Sequence, residues 1–150
     1  MRSVILCGFK GSGKSTFGRQ LAREWDWPFI DTDALLPIDP RELWLREGEE
    51  SFRQHEREVV ASLDLQEPTI VATGGATLMD PDNLRILSEQ GKIVHLVASP
   101  QVIWERIRKT GLPPFLVGND PYRAFLKLYE ERMKHYQTIA DETWEMPDGE

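Results

Sequence analysis

Gly8-Phe9-Lys10-Gly11-Ser12-Gly13-Lys14-Ser15-Thr16, directly behind the apolar run Val4-Ile5-Leu6-Cys7, decides the fold of this chain. The stretch matches G-x-x-x-x-G-K-[ST], the phosphate-binding P-loop, between a strand and a helix as that motif requires. Its glycines let the backbone bend around phosphate oxygens, so that successive N–H groups of Gly11, Ser12, Gly13, Lys14, Ser15 and Thr16 form an anion nest. Lys14 would reach the β- and γ-phosphates, and the Ser15 hydroxyl would ligand Mg²⁺. A helix opening near Lys14 adds its positive end beneath the phosphates. A plain glycine-rich turn needs no Lys-Ser pair at the helix start. The motif therefore implies a bound nucleoside triphosphate.

Working outward, strands alternate with helices along the rest of the chain. Arg2–Cys7 reads as a buried strand and Lys14–Trp25 as an amphipathic helix with Phe17, Leu21 and Ala22 inward. A short strand at Pro28–Ile30 ends at Asp31-Thr32-Asp33. Pro37 and Pro40 break the chain before a short helix carrying Leu43 and Trp44. Gly48 punctuates, and Glu49–Leu63 is a long helix. Thr69–Ala72 is a third strand running into Gly74-Gly75, Pro81–Gln90 a helix, Lys92–Val97 a fourth strand and Pro100–Lys109 a helix. Thr110–Asp120 reads as a mobile surface loop, Tyr122–Ala140 as the last long helix, and Glu142–Glu145 as a final strand. Such alternation predicts an α/β domain, a parallel sheet covered on both faces by right-handed crossovers. Ligands bind beyond the carboxyl ends of such strands. The glycine-rich loop, Asp31/Asp33 and Gly74/Gly75 all fall there.

Composition bounds the partners. At 150 residues, with 40% hydrophobic and 29% charged residues, one compact domain is expected. The net charge of −7, without a basic block, argues against nucleic acid or an anionic membrane surface. Cys7 is the only cysteine, which excludes an intramolecular disulfide and a cysteine metal cluster. Its place in the first strand reads as a small buried hydrophobe. No apolar run approaches the ~20 residues of a membrane span, and no signal peptide is legible, so a reducing cytoplasm is the expected home.

The loop names a phosphoryl donor and leaves the acceptor open. Two carboxylates two residues apart, Asp31 and Asp33, can divide the work: one serves the Mg²⁺ shell and the other orients an attacking hydroxyl. A solvated turn with an N-cap aspartate is the plainer alternative. Arg53 and Arg57 read, by themselves, as surface charges paired with Glu49 and Glu56 along a helix. Gly74-Gly75 either admits a ligand to the backbone or simply turns the chain.

Several ordered motifs together carry a resemblance over nearly the whole chain, from Val4 to about Asp141. They are the GSGKST loop, Asp31-x-Asp33, Gly48-Glu49-Glu50-x-Phe52-Arg53, Ala72-Thr73-Gly74-Gly75, and Glu131-Arg132 followed by Tyr136 and Ala140-Asp141. In these the chain resembles the shikimate kinases. The loop alone is shared with many kinases, gluconate kinases included; the later motifs are far more specific. The resemblance implies a three-layer α/β/α domain over residues 1–150, with a central parallel sheet of about five strands, of nucleoside-monophosphate-kinase type. It further implies a substrate-binding segment at about 33–63 and a lid at about 110–120.

Residue by residue, the resemblance implies that Lys14 and Ser15 hold ATP and Mg²⁺, and that Asp31 acts through the metal's water shell. Asp33 would orient the acceptor hydroxyl. Arg53 and Arg132 would clamp the shikimate carboxylate, with backbone contacts from Gly74 and Gly75. Paired hydrogen bonds to a planar carboxylate suit Arg. Trp44, Phe52 and Glu56 match positions that shape the substrate pocket, and Arg106 one that packs against adenine. His55, His95 and His135 match no functional position. The reaction implied is transfer of the ATP γ-phosphoryl to the 3-hydroxyl of shikimate by a monomer.

The chain departs from the family pattern in four places. The family's lid carries an arginine just before a proline, where this sequence places Pro113; Arg108, Lys109 and Arg123 are the nearby cations that could stand in. Ala76 replaces a third glycine. The segment between Asp33 and Gly48 is a few residues short, and the sequence ends at Glu150 without a final helix. Two alternatives follow: a kinase for another small hydroxy acid such as gluconate, or a non-catalytic nucleotide-binding module.

Overall fold

The computed structural model describes residues 2–113, 116 and 118–146. Five strands, β1 (Ser3–Cys7), β2 (Phe29–Asp31), β3 (Ile70–Ala72), β4 (Gly91–Val97) and β5 (Glu142–Glu145), form one sheet in the order β2-β3-β1-β4-β5. Every pairing is parallel; β1 lies in the middle, with Ile5 opposite Val71 on one side and Ile93 on the other. Buried on both faces, β1 has no polar alternation, as expected for the centre of a parallel sheet.

Side-chain alternation along β1 sorts the core into two layers. Ile5 and Cys7 point to one face, where they meet Val60, Leu87 and Tyr136. Those residues come from helices α2 (Pro40–Ser62), α3 (Pro81–Ser88) and α5 (Pro121–Ile139). Val4 and Leu6 point to the opposite face, against Leu21 and Ala22 of α1 (Lys14–Trp25). α4 (Pro100–Thr110) packs on α5 through Ile103, Ile107 and Phe125, with Phe9 and Leu116 in the same cluster. The predicted three-layer α/β/α arrangement with five parallel strands is the one observed, and no helix among the described residues is long and apolar enough to cross a membrane.

Helix starts follow a local rule. α2, α3, α4 and α5 each begin with proline at the first turn, behind Asp39, Asp80, Ser99 and Asp120. Each capping side chain accepts a backbone N–H of the first turn, while proline has no N–H to leave unsatisfied. α1 differs: its N-cap is Gly13, in the left-handed region at φ 95°, and no side chain caps it. Its first-turn donors therefore face outward, past the sheet's carboxyl edge.

Gly48 breaks α2 with φ 86° and ψ 175°, a conformation only glycine adopts readily. The predicted short helix, glycine break and long helix are thus all present within the Pro40–Ser62 span. The predicted surface loop at Thr110–Asp120 is less exposed than expected, since Leu116 is fully buried in the α4–α5 cluster and Pro113 is also buried. Pro114, Phe115 and Val117 lie outside the described residues, as do Pro147–Glu150, where the sequence ends.

Gly18 marks how closely α1 approaches the sheet. A Cβ there would sit 2.7 Å from Phe29 Cε1 and 3.1 Å from Leu6 Cδ1. Alanine would gain about 1 kcal/mol of helix propensity, whereas overpacking of this kind costs about 1–3 kcal/mol. We expect Gly18→Ala to lower the urea-unfolding free energy by about 1 kcal/mol; a gain instead would show that the Phe29 ring yields.

Candidate active site

The carboxyl ends of β1, β2 and β3 open into a crevice of about 440 Å³. One wall is the glycine-rich loop, with Gly11, Gly13, Lys14, Ser15 and Thr16. The floor brings Asp33 together with Thr73, Gly74, Gly75 and Ala76. The opposite wall is α2, through Trp44, Phe52, Arg53 and Glu56, and Arg132 of α5 completes the lining. Residues scattered over more than a hundred positions thus meet in one cavity because the parallel topology delivers every β–α junction to the same edge.

Lys14 is buried, and its Nζ donates to the carbonyls of Gly8 at 2.6 Å and Phe9 at 3.1 Å. Burial pulls its pKa down to about 8, against the opposing pull of the nearby Asp33 charge. Ser15 Oγ donates to Asp31 Oδ2 at 2.8 Å, while Asp31 Oδ1 accepts the Asp33 N–H at 3.0 Å. Asp31 thus faces Ser15 from behind the cavity, and Asp33 projects into it. Ser12 turns away: its side chain is fully buried, its Oγ finds no partner among the described residues, and its N–H goes to the Phe9 carbonyl at 3.0 Å.

Asp33 is a half-buried carboxyl on the cavity wall. Burial raises its pKa first, and the Asp31 charge adds to this; Lys14, Lys10 and Arg53 oppose both. Gly74 makes room for it, because a Cβ at that position would lie 2.8 Å from Asp33 Oδ1 and 2.9 Å from Thr77 Oγ1. Next to it Glu56, buried and also pushed upward by burial, accepts Thr77 Oγ1 at 2.9 Å and Arg53 Nη1 at 3.2 Å.

Two guanidinium groups converge on the acceptor side. Arg53 is only 23% exposed; Trp44 and Phe52 flank its Cζ at 5.4 and 5.3 Å. Its ion pairs with Glu49 and Glu56 are those expected of a surface helix, yet its side chain lines the crevice. Arg57 instead reaches α3, pairing with Asp80 at 3.2 Å. Arg132 donates to the Gly75 carbonyl at 2.9 Å, and Tyr136 OH donates to the same oxygen. Gly74 N–H is engaged by Thr32 Oγ1 at 3.2 Å, and the next residues of the turn, Gly75 and Ala76, line the cavity. Burial, foremost, and the Arg53 charge pull the Arg132 pKa down, the mark of two cations held close together. An anion between them would relieve both.

Not every expected residue lines the cavity. Arg106 does not; its Nη1 donates to the Gly11 carbonyl at 2.9 Å and so braces the loop. Neither do Arg108, Lys109 or Arg123; Arg108 is turned to Glu105 at 2.8 Å, and Arg123 is exposed beside Asp120. Pro113 does line it, as do Lys10 and Arg41, two cations the sequence reading passed over. Lys10 is the variable position of the loop motif, and Arg41 looks like an ordinary first-turn helix charge. The three histidines stay outside the cavity, and among the described residues no cluster of His, Cys, Asp and Glu is arranged to hold a metal by itself.

Comparison with known proteins agrees with this geometry. A family model described as shikimate kinase matches residues 10–148. A curated shikimate kinase of Burkholderia thailandensis is 37% identical over 146 residues, covering 92% of this chain and 77% of that protein. The solved shikimate kinase of Acinetobacter baumannii, in complex with shikimate, superposes with a TM-score of 0.90 at 27% identity, over 99% of this chain and 86% of the other. A gluconokinase of Sinorhizobium meliloti superposes less well, with a TM-score of 0.57 at 20% identity over 93% of this chain and 94% of the other, a likeness of fold alone.

Proposed function

Because this chain belongs to the shikimate kinase family, we propose a division of labour along its crevice for moving the γ-phosphoryl of ATP onto the 3-hydroxyl of shikimate. The observation that carries it is the meeting, in one cavity, of an uncapped helix N-terminus, a half-buried Asp33 and the converging Arg53 and Arg132. The family's donor is ATP, and the uncapped first turn of α1 receives its phosphates with backbone donors and the helix dipole. Lys14 leaves the Gly8 and Phe9 carbonyls for the phosphate oxygens.

Ser15 and Asp31 fit a magnesium ion. Both are hard oxygen donors 2.8 Å apart, and Mg²⁺ bound with a nucleotide needs only one or two protein ligands beside water and phosphate. The Ser15 hydroxyl can keep its hydrogen bond to Asp31 while offering a lone pair. Bound there, the ion would offset charge developing on the phosphates.

Arg53 and Arg132 grip the shikimate carboxylate, Gly75 N–H adds a backbone contact, and Asp33 receives the hydrogen bond of the attacking hydroxyl. Its raised pKa brings it nearer the working range of a proton acceptor. Trp44 and Phe52 hold the Arg53 guanidinium in place before substrate arrives. A single chain holds all these parts. Its only cysteine, Cys7, is buried with its thiol pushed up to about 12, so it stands as an inert core residue.

The test is ADP release from Mg·ATP with shikimate, with gluconate and with neither. Strong release with shikimate alone is expected. Release with gluconate alone would replace the acceptor, and bound nucleotide without acceptor-dependent release would leave a binding module.

A further inference from the structure

Arg41, the second residue of α2, is exposed, but its side chain does not lie along its own helix. Nη1 donates to the Leu112 carbonyl at 2.6 Å, a contact 71 positions away in sequence. The guanidinium also runs beside Gly111, whose Cβ position lies 3.9 Å from the same nitrogen. Residues 110, 111 and 113 line the crevice from the α4 side, and Arg41 lines it from the α2 side.

The neighbouring charges leave this cation to that task. Glu42 is taken by Arg46 at 2.7 Å, and among the described residues Arg41 forms no ion pair. The segment beyond α4 leaves its helix at Gly111, with φ 100° and ψ 134°, so that the Leu112 carbonyl is presented to Arg41. The bond is charge-assisted, and a guanidinium keeps further donors in a fixed plane while one is used.

We propose that Arg41 is a positioning residue for the transfer: it ties residues 110–113 to the start of α2 and so closes the crevice over the phosphoryl group. This rests on the kinase reading above. Closure excludes water, and water is the competing acceptor. Loss of the tie should therefore alter how phosphoryl groups are partitioned more than how tightly either substrate binds.

The experiment compares wild type with Arg41→Ala and Arg41→Lys in two measurements. The first is the ratio of acceptor-independent to shikimate-dependent ADP release. In Arg41→Ala it should rise about tenfold, the low end of what a hydrogen bond from a charged group supplies. Arg41→Lys, which keeps a donor and the charge, should recover most of that. The second is hydrogen exchange of the Thr110, Gly111 and Leu112 amides with Mg·ADP bound, which should quicken in Arg41→Ala while the thermal midpoint falls by no more than about 5 °C. Unchanged exchange overturns the tie, and faster exchange with an unchanged ratio overturns the positioning role. If wild type releases no ADP in response to shikimate, the kinase reading fails, and exchange still decides whether Arg41 holds the segment.

Discussion

Asp33→Asn lowers kcat with shikimate by ~10³-fold and moves neither KM by more than about threefold, because positioned proton acceptors contribute about 10²–10⁴-fold. Asparagine keeps the shape and the room left by Gly74, so substrates still bind; it cannot take a proton. A variant with full kcat would remove Asp33 from the reaction. The same substitution should stabilise the protein. Burial raises the folded pKa of Asp33 above the unfolded value of ~3.9, so the favourable contribution of its neutral form is present below that value and lost as pH rises through the folded pKa. Above its folded pKa the wild type holds a carboxylate the site disfavours, and the amide is free of it. Thermal midpoints should therefore favour Asp33→Asn at pH 8 and draw together as pH falls through the folded pKa toward ~3.9. A variant less stable than wild type at pH 8 would mean that Lys14 and Lys10 outweigh burial.

Arg53→Ala should raise the shikimate KM by about 10²-fold, within the range for removing one partner of a buried charge pair. Nucleotide affinity should hold, since Arg53 lies on the α2 wall, away from the proposed phosphate site at α1. Truncation also strips buried Glu56 of its cation at 3.2 Å, leaving Thr77 as its hydrogen-bond donor. A fall in thermal midpoint is therefore expected and must be separated from the effect on KM. Arg53→Lys serves here: it keeps a positive charge near Glu56 but loses the planar fork that matches a carboxylate. It should restore stability while leaving KM high. An unchanged KM in Arg53→Ala would abolish the clamp.

The sheet was legible because its signals are local. Apolar runs, Asp-Pro and Ser-Pro helix starts and glycine breaks each act within a few residues, and they located the five strands and, α2 apart, the α-helices to within two residues; the short 3-10 turns at Thr32–Leu35 and Thr77–Met79 carry no such signal. The phosphate loop and Asp31/Asp33 were legible for the same reason. Arg53 was half legible: its helix partners are in the sequence, but the Trp44–Phe52 flanks that turn it inward depend on the joint at Gly48. Arg41 was not legible at all, since its partner is a backbone carbonyl 71 residues away, and any side chain at position 112 presents the same oxygen. The buried face of the segment after α4 was missed because Leu116 finds its core on α5 rather than beside itself in sequence.

The depressed pKa of Lys14 makes the arrival of nucleotide a proton-uptake event. With a value of about 8, the amine held by the Gly8 and Phe9 carbonyls is about half neutral at pH 8. Polyphosphate beside it favours the ammonium form, so each nucleotide brings in a fraction of a proton that grows as pH rises. In the phosphate-binding role proposed for Lys14, nucleotide affinity should therefore fall as pH rises above about 8, because part of the binding energy then recharges the amine.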